Sequence, residues 1–166
     1  MDLIVGADGW ACCGARRYRC TFGLAGFSAD KHEGDGTTPI GTWTCRMLYY
    51  RPDRLPLPRT GLRVVPLTAG DGWCDAPDDR NYNRPVGLPY PASAEKLWRA
   101  DNVYDLIVPL GYNDAPVVPG RGSAIFLHLA RSDGGPTQGC VALALTDLLE
   151  FLADADERSC VIVNRV

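Results

Sequence analysis

Alternation of apolar and polar residues is the feature that most limits how this chain can fold. In "RRYRCTFG" (16–23) and in "TWTCRMLYY" (42–50), apolar side chains occupy every second position and therefore one face of an extended chain. These side chains are Tyr18, Cys20 and Phe22 in the first stretch, and Trp43, Cys45, Met47 and Tyr49 in the second. A period of two is typical of a half-buried β-strand. Each stretch is therefore predicted to form one strand.

Short apolar runs bounded by turn residues follow in the second half of the chain. They are "YDLIVPL" (104–110), "SAIFLHLA" (123–130) and, at the end, "CVIVNRV" (160–166). Runs of this length with such flanks predict buried strands. Near the start, "ADGW" and "CGAR" are predicted to form hairpin turns.

Two segments are predicted to be short helices. "SAEKLWRADN" (93–102) begins with Ser93, a residue type that commonly caps helix N-termini. "TDLLEFLADA" (146–155) has Thr146 as its candidate N-cap and places three leucines on one helical face.

Residues 51–92 differ from both patterns, because they hold eight of the thirteen prolines. A linker is one interpretation, but a linker would not normally carry the aromatic residues Trp73, Tyr82 and Tyr90. We interpret the segment as an ordered, irregular excursion that packs on the domain and is a candidate border of a functional site.

Length and composition fit one domain over residues 1–166, mainly β with one or two short helices. A net charge of −3 argues against a nucleic-acid partner, since such proteins usually display a basic patch. No stretch approaches the roughly 20 apolar residues that span a bilayer. The start, "MDLIVGADGW", has no secretory pattern, which leaves a cytoplasmic protein or a leader absent from this sequence.

The seven cysteines cannot all pair within one chain, so at least one thiol is expected to be free. Cys20 and Cys45 lie in the alternating stretches and are interpreted as small core residues. Zinc ligation by Cys12, Cys13, Cys20 and His32 is the alternative, but its spacing matches no usual zinc pattern, and no metal site is predicted.

One cysteine lies in an unusual setting. In "GGPTQGCVAL" (134–143), Cys140 follows Gly139 behind a loop of turn residues, and His128 ends a predicted strand twelve residues earlier. An imidazolium or oriented N–H groups can lower a thiol pKa from about 8.5 into the range of about 3.5–7.5. Gly139 lets the backbone approach a substrate, and the N–H groups of Gly139 and Cys140 are candidate oxyanion donors. A core histidine and a buried structural thiol are the alternative interpretation of the same residues.

Several segments resemble the L,D-transpeptidase catalytic-domain family. "HLARSDGGPTQGCVAL", preceded by "GSAIF", is similar to the family's histidine strand, variable loop and Gly-Cys segment. "GDGTTPIGTW" (34–43) is similar to its threonine-proline strand entry, and "GWCDAPDDRNYNRPV" (72–86) and "LGYND" (110–114) are similar to segments of a short branch. The resemblance covers nearly the whole chain and implies a single-domain β-sandwich of that type.

Carried over residue by residue, the resemblance makes Cys140 the nucleophile, His128 its base, Gly139 the preceding glycine and the carbonyl of Leu129 the third element. Four further residues become candidates for substrate binding, namely Thr137, Gln138, Arg131 and Tyr112. Gln138 before the glycine, and Val141 and Ala142 after the cysteine, depart from the more familiar branch. For Arg131 a solvated loop arginine is the alternative to a partner for a substrate carboxylate, and for Asp133 a turn-forming role is the alternative to orienting the histidine.

The resemblance implies acyl transfer on peptidoglycan stem peptides. The donor would be a tetrapeptide stem and the acceptor the side-chain amine of a diamino acid, with carbapenems as expected acylating agents. No cofactor is expected, because thiol acyl transfer needs only a nucleophile, a base and oxyanion donors. Hydrolysis of the same bond by an L,D-carboxypeptidase or thiol amidase, and a non-catalytic peptidoglycan-binding domain, are the alternatives. The resemblance also implies a location in the periplasm or cell wall.

Overall fold

A computed structural model describes residues 1–164, which form a mainly β fold with one helix. The elements are β1 (Leu3–Val5), β2 (Trp10–Cys13), β3 (Arg16–Thr21), β4 (Phe27–Ser28), β5 (Thr38–Pro39), β6 (Gly41–Thr44), β7 (Leu48–Tyr50), β8 (Val64–Pro66), β9 (Asp71–Cys74), β10 (Pro85–Gly87), β11 (Ala94–Lys96), β12 (Leu106–Pro109), β13 (Phe126–Leu129), β14 (Val141–Leu143), α1 (Leu145–Asp154) and β15 (Cys160–Val163). The predicted fold class, a mainly β single domain with one or two short helices, is confirmed.

Ten strands form one curled sheet in the order β6-β15-β1-β2-β3-β14-β13-β12-β7-β8. The predicted hairpin turns join β1 to β2 and β2 to β3, and Gly14 takes the positive φ of 60° that the second turn requires. The predicted strands at 16–23, 104–110 and 123–130 correspond to β3, β12 and β13. The predicted strand at 160–166 corresponds to β15, and its last two residues lie outside the described part of the chain.

The prediction of a single strand over 42–50 is wrong. The segment forms β6, at one end of the sheet, and β7, near the other. Between them Cys45 makes an antiparallel bridge to Leu110, and the N–H of Arg46 donates to the carbonyl of Pro109 at 3.0 Å. A bend between two consecutive strands preserves the alternation of side chains, so the pattern alone cannot reveal it.

The curl of the sheet encloses one large core. Side chains from both ends of the strand order contribute to it, including Val5 and Val161 from one end and Leu48 and Val108 from the other. Cys45 lies in this core at 1% exposure, as predicted for a small apolar residue. The cysteines of the chain are free thiols in this structure.

Helix α1 confirms the prediction of a helix at 146–155. Leu148, Phe151 and Leu152 are fully buried on its inner face, where the 3.6-residue period places them together. Thr146 is not the N-cap, because the helix begins one residue earlier and Ala144 occupies the cap position without a side-chain hydrogen bond.

The prediction of a helix over 93–102 is wrong. Ala94–Lys96 forms the strand β11, which pairs antiparallel with β9, so that Glu95 lies opposite Trp73. β9 is the middle strand of a separate three-stranded sheet, β10-β9-β11, which orders the proline-rich excursion. The local sequence favours a helix, but pairing with a strand about twenty residues away overrides it.

We expect Phe151→Ala to lower the free energy of unfolding by about 3–5 kcal/mol, because it empties a fully buried site at the junction of helix and sheet. Urea unfolding under reducing conditions measures this loss. Leu24→Ala is the control, since Leu24 is 78% exposed and its truncation should change stability by less than about 0.5 kcal/mol. Equal losses in the two variants would contradict the described core.

Candidate active site

The register of two parallel strands brings His128 and Cys140 to one face of the sheet. In the pairing of β13 with β14, His128 lies opposite Ala142, and Cys140 comes just before β14. Since side chains alternate along a strand, Phe126, His128 and Cys140 project to the face opposite Leu127. The packing agrees, because Leu127 belongs to the main core whereas Phe126 and Cys140 belong to a second cluster.

That face borders a cavity of about 600 Å³ lined by both His128 and Cys140. Its remaining lining is mostly polar and charged, drawn from the turn before β5, the segment around β11, and the loop between β13 and β14. The charged side chains among the lining residues are Lys31, Glu33, Asp75, Glu95, Arg99, Asp101, Arg131 and Asp133. The predicted pair therefore lies next to a space that can hold a ligand.

The imidazole of His128 is buried and held by one hydrogen bond. Its Nδ1 lies 2.8 Å from the carbonyl oxygen of Leu129, and a carbonyl only accepts, so Nδ1 carries the proton and Nε2 is the basic atom. Burial lowers the pKa of His128 to about 4, and the bond to Leu129 only partly opposes this. The ring is therefore neutral at pH 7.

The thiol of Cys140 is also neutral. Its Sγ donates to the carbonyl of Ala124 at 3.1 Å and accepts from the N–H of Phe126 at 3.3 Å. Burial, followed by the charge of Glu95, raises the pKa of Cys140 to about 12. This differs from the sequence-based expectation of a lowered thiol pKa, because the surroundings of the sulfur supply burial and a neutral imidazole in place of an imidazolium.

An unusual backbone conformation at Ala124 directs its carbonyl group toward the thiol of Cys140. Ala124 has a φ of 51°, in the left-handed region that a residue with a Cβ rarely adopts. The side-chain oxygen of Asn83 accepts from the N–H of Ala124 at 3.0 Å and from the indole of Trp73 at 2.9 Å. Asn83 thus ties the proline-rich excursion to the Cys140 site, a role that no local sequence pattern predicts.

Gly139 and Thr137 shape the turn that delivers the cysteine. Gly139 has a φ of 141°, and a Cβ there would lie 2.8 Å from the carbonyl oxygen of Thr37, so only glycine fits. The hydroxyl of Thr137 accepts from the N–H of Gly139 at 3.1 Å and donates to the carbonyl of Cys140 at 2.6 Å. The N–H of Gly139 is therefore satisfied within the turn in this structure.

A buried lysine also borders the cavity, and the sequence analysis did not single it out. Lys31 is 3% exposed, and its Nζ lies 2.8 Å from Oδ1 of Asp35. Although burial opposes it, hydrogen bonds from His32, Lys31 and Thr37 hold the pKa of Asp35 well below its usual range. The pair joins two residues of the turn before β5 at the border of the cavity.

The other predicted site residues are placed less centrally. Arg131 and Gln138 border the cavity but are exposed, and Arg131 pairs with Asp133 at 2.8 Å. Asp133 also accepts from the N–H of Gly135, which is a turn contact, and makes no contact that would orient His128. Tyr112 does not line the cavity, and its ring packs edge-on against Trp43 with centroids 5.0 Å apart.

Within residues 1–164, no group of three or more His, Cys, Asp or Glu side chains is arranged to hold a metal ion. Over the same residues, no helix is long and apolar enough to cross a membrane.

Comparison with known families identifies the class of protein. A sequence model of the YkuD family, the L,D-transpeptidase catalytic domain, matches residues 8–163. The match covers nearly the whole chain, so the chain belongs to this family, as the sequence resemblance predicted. The family acts on peptidoglycan peptides and is normally associated with the cell wall.

Two solved structures are similar to this chain. They are the helical cell shape determining protein Pgp2 from Campylobacter jejuni, with 13% sequence identity and a TM-score of 0.48, and a point mutant of Pgp2, with 15% identity and a TM-score of 0.47. Each alignment covers 99% of this chain and 47% or 46% of the other, so the chain spans about half the length of Pgp2. A search of curated proteins finds no match.

We expect protonation of His128 to reduce stability as the pH falls from about 6.5 to about 4. In this window the unfolded chain binds a proton at His128 that the folded chain excludes, so the free energy of unfolding decreases. Urea unfolding at several pH values measures the slope of the free energy of unfolding against pH. In His128→Gln the slope should be shallower over this window, and an unchanged slope would contradict a lowered pKa.

Proposed function

We propose that this chain is a peptidoglycan L,D-transpeptidase with Cys140 as nucleophile and His128 as general base. One observation supports the proposal most strongly. His128 from β13 and Cys140 from the turn just before β14 line the same cavity, and the carbonyl of Leu129 leaves Nε2 of the imidazole as the basic atom.

The neutral state of both groups favours proton transfer during attack over a preformed thiolate. The thiol leaves the carbonyl of Ala124 and turns its proton to Nε2 of His128. As Nε2 takes this proton, Sγ attacks the carbonyl of the L,D peptide bond that precedes a terminal D-alanine. The C–N bond then breaks, and the imidazolium returns the proton to the departing amine, which leaves a thioester on Cys140.

Resolution of the thioester determines the product. The side-chain amine of a diamino acid in a second stem attacks the thioester carbonyl, His128 takes the proton that the amine loses, and Cys140 recovers the proton as the thiol departs. The product is a cross-link between two stems. Attack by a free D-amino acid gives exchange, and attack by water gives the carboxypeptidase outcome.

The arrangement of residues around the cavity is consistent with a peptide as the acyl donor. Arg131, Gln138 and the loop that carries them lie at its exposed rim, where a stem peptide would enter, while the cysteine and histidine lie at its buried end. The proposed place of action is the cell wall, outside the cytoplasmic membrane, following the family. Fractionation of cells that express the full natural gene tests this location.

We expect the purified protein to convert a defined tetrapeptide muropeptide into a cross-linked dimer, with release of D-alanine, and Cys140→Ala to form neither. The reason is that Cys140 is the only thiol among the described residues that line the cavity, so its removal leaves no sulfur to carry the acyl group. Mass analysis of the products measures both reactions. Cys160→Ala is the control, because Cys160 is a partly exposed thiol outside the cavity. Loss of D-alanine without dimers would identify the carboxypeptidase, and turnover by a folded Cys140→Ala variant would overturn the assignment.

We expect a carbapenem to acylate the protein once, at Cys140, because its strained lactam carbonyl offers an electrophile to the same thiol. Intact-mass measurement followed by peptide mapping locates the adduct. His128→Gln should acylate more slowly by about a hundredfold or more, which is the usual contribution of a general base. An adduct on any of the other six cysteines, with Cys140 unmodified, would contradict the proposal.

A further inference from the structure

Two tyrosine–glutamate pairs adjoin the cavity. The hydroxyl of Tyr104 donates to Oε1 of Glu95 at 2.5 Å, and the hydroxyl of Tyr82 donates to Oε2 of Glu33. Both glutamates line the cavity, and both tyrosines are buried. The two pairs are chemically alike, but they contact different parts of the site.

Tyr104 contacts the base of the proposed reaction. Its ring meets the imidazole of His128 edge to face, with centroids 5.3 Å apart, and meets Phe126 in the same way at 6.0 Å. The hydroxyl bond to Glu95 limits how far this ring can shift, so Glu95 restrains the imidazole through Tyr104. Tyr82 instead accepts from the N–H of Gly122 at 3.0 Å and does not meet the imidazole.

Glu95 is one of three cavity carboxylates that form no ion pair among the described residues, the others being Glu33 and Asp75. The cavity cations are each paired with a carboxylate, namely Lys31 with Asp35, Arg99 with Asp101 and Arg131 with Asp133. Among the described residues Glu95 forms no ion pair, and its hydrogen bond is to a neutral phenol. Its carboxyl group borders the same cavity as the thiol of Cys140.

The surroundings of the Tyr104–Glu95 pair determine which of its two groups donates the hydrogen bond. Burial raises the pKa of Glu95, which the hydrogen bond from Tyr104 and the charge of Arg99 oppose. Burial, followed by the nearness of Cys140 and Glu95, both of which can become anionic, raises the pKa of Tyr104 well above its usual value. The phenol of Tyr104 therefore stays protonated and donates to Oε1 of Glu95.

We propose that Tyr104 and Glu95 are positioning residues for the Cys140–His128 pair. Tyr104 fixes the orientation of the imidazole, and Glu95 anchors Tyr104 and places its carboxyl group in the cavity that Cys140 borders. Burial is the main cause that keeps the thiol protonated, the charge of Glu95 adds to it, and the charge of Lys31 opposes it. The expected kinetic effects depend on the proposed function. The expected effect on the reactivity of the Cys140 thiol does not.

Alkylation in the absence of substrate tests the charge of Glu95. Glu95→Gln keeps an acceptor for Tyr104 and removes the charge, so iodoacetamide should modify Cys140 about three- to tenfold faster at pH 8. Glu33→Gln is the matched control, because it makes the same change in the same cavity, and its rate should stay within about twofold of the wild type. Peptide mapping assigns the modification to Cys140. Equal rates in Glu95→Gln and the wild type would overturn the role of the charge.

Kinetics on the tetrapeptide test the orientation of the imidazole. Tyr104→Phe and Glu95→Ala both break the hydrogen bond and should lower kcat about tenfold, with KM changed by less than about threefold. Glu95→Gln should restore kcat to within about threefold of the wild type, because its amide oxygen still accepts from Tyr104. Tyr82→Phe loses the equivalent bond away from the imidazole. An equal loss of kcat in Tyr82→Phe, or no rescue by Glu95→Gln, would overturn the positioning role. If the wild type turned over no peptide, the proposed function would fail while the alkylation result still decided the role of Glu95.

Discussion

The parallel pairing of β13 with β14 is the constraint on which the site depends. In its register His128 lies opposite Ala142, and Cys140 enters from the turn just before β14. A slip by one residue would turn Cys140 toward the main core and away from the cavity. Gly139 helps to prevent such a slip, since its backbone packs so closely against the carbonyl of Thr37 that no side chain fits.

The same strand pairing buries the thiol of Cys140 and the imidazole of His128, and this burial determines their protonation states. It makes the ionised forms of both groups costly, so the thiol of Cys140 is protonated and the imidazole of His128 is neutral. A neutral thiol resists alkylation and oxidation, because the thiolate is the reactive species. A neutral imidazole with its proton on Nδ1 can accept one at Nε2. The pair therefore reacts slowly with adventitious reagents and is still suited to proton transfer once a carbonyl group lies beside the sulfur.

The sequence predicted those elements whose evidence is local. The alternation in 16–23 and the apolar run in 123–130 each identify a strand, because the side chains of one strand reveal their own burial. The errors occur where a distant partner decides the outcome. The segment 93–102 becomes a strand and turns because β9 pairs with it, and 42–50 bends because it joins two arms of the curled sheet. The raised pKa of the Cys140 thiol was missed for the same reason, since it depends on how segments distant in sequence enclose the cavity.

Two residues that support the site lie in, or just after, the segment with the least regular sequence. Asn83 holds the strained turn at Ala124, and Glu95 anchors Tyr104 beside the imidazole. Neither residue belongs to a sequence motif that contains the nucleophile or the base. Each acts through a contact with a residue elsewhere in the sequence. The three-stranded sheet of β9, β10 and β11 thus supports the candidate site from outside as well as connecting strands of the main sheet. The prolines near Asn83 fit this role, because they reduce the number of conformations that the backbone around this residue can adopt.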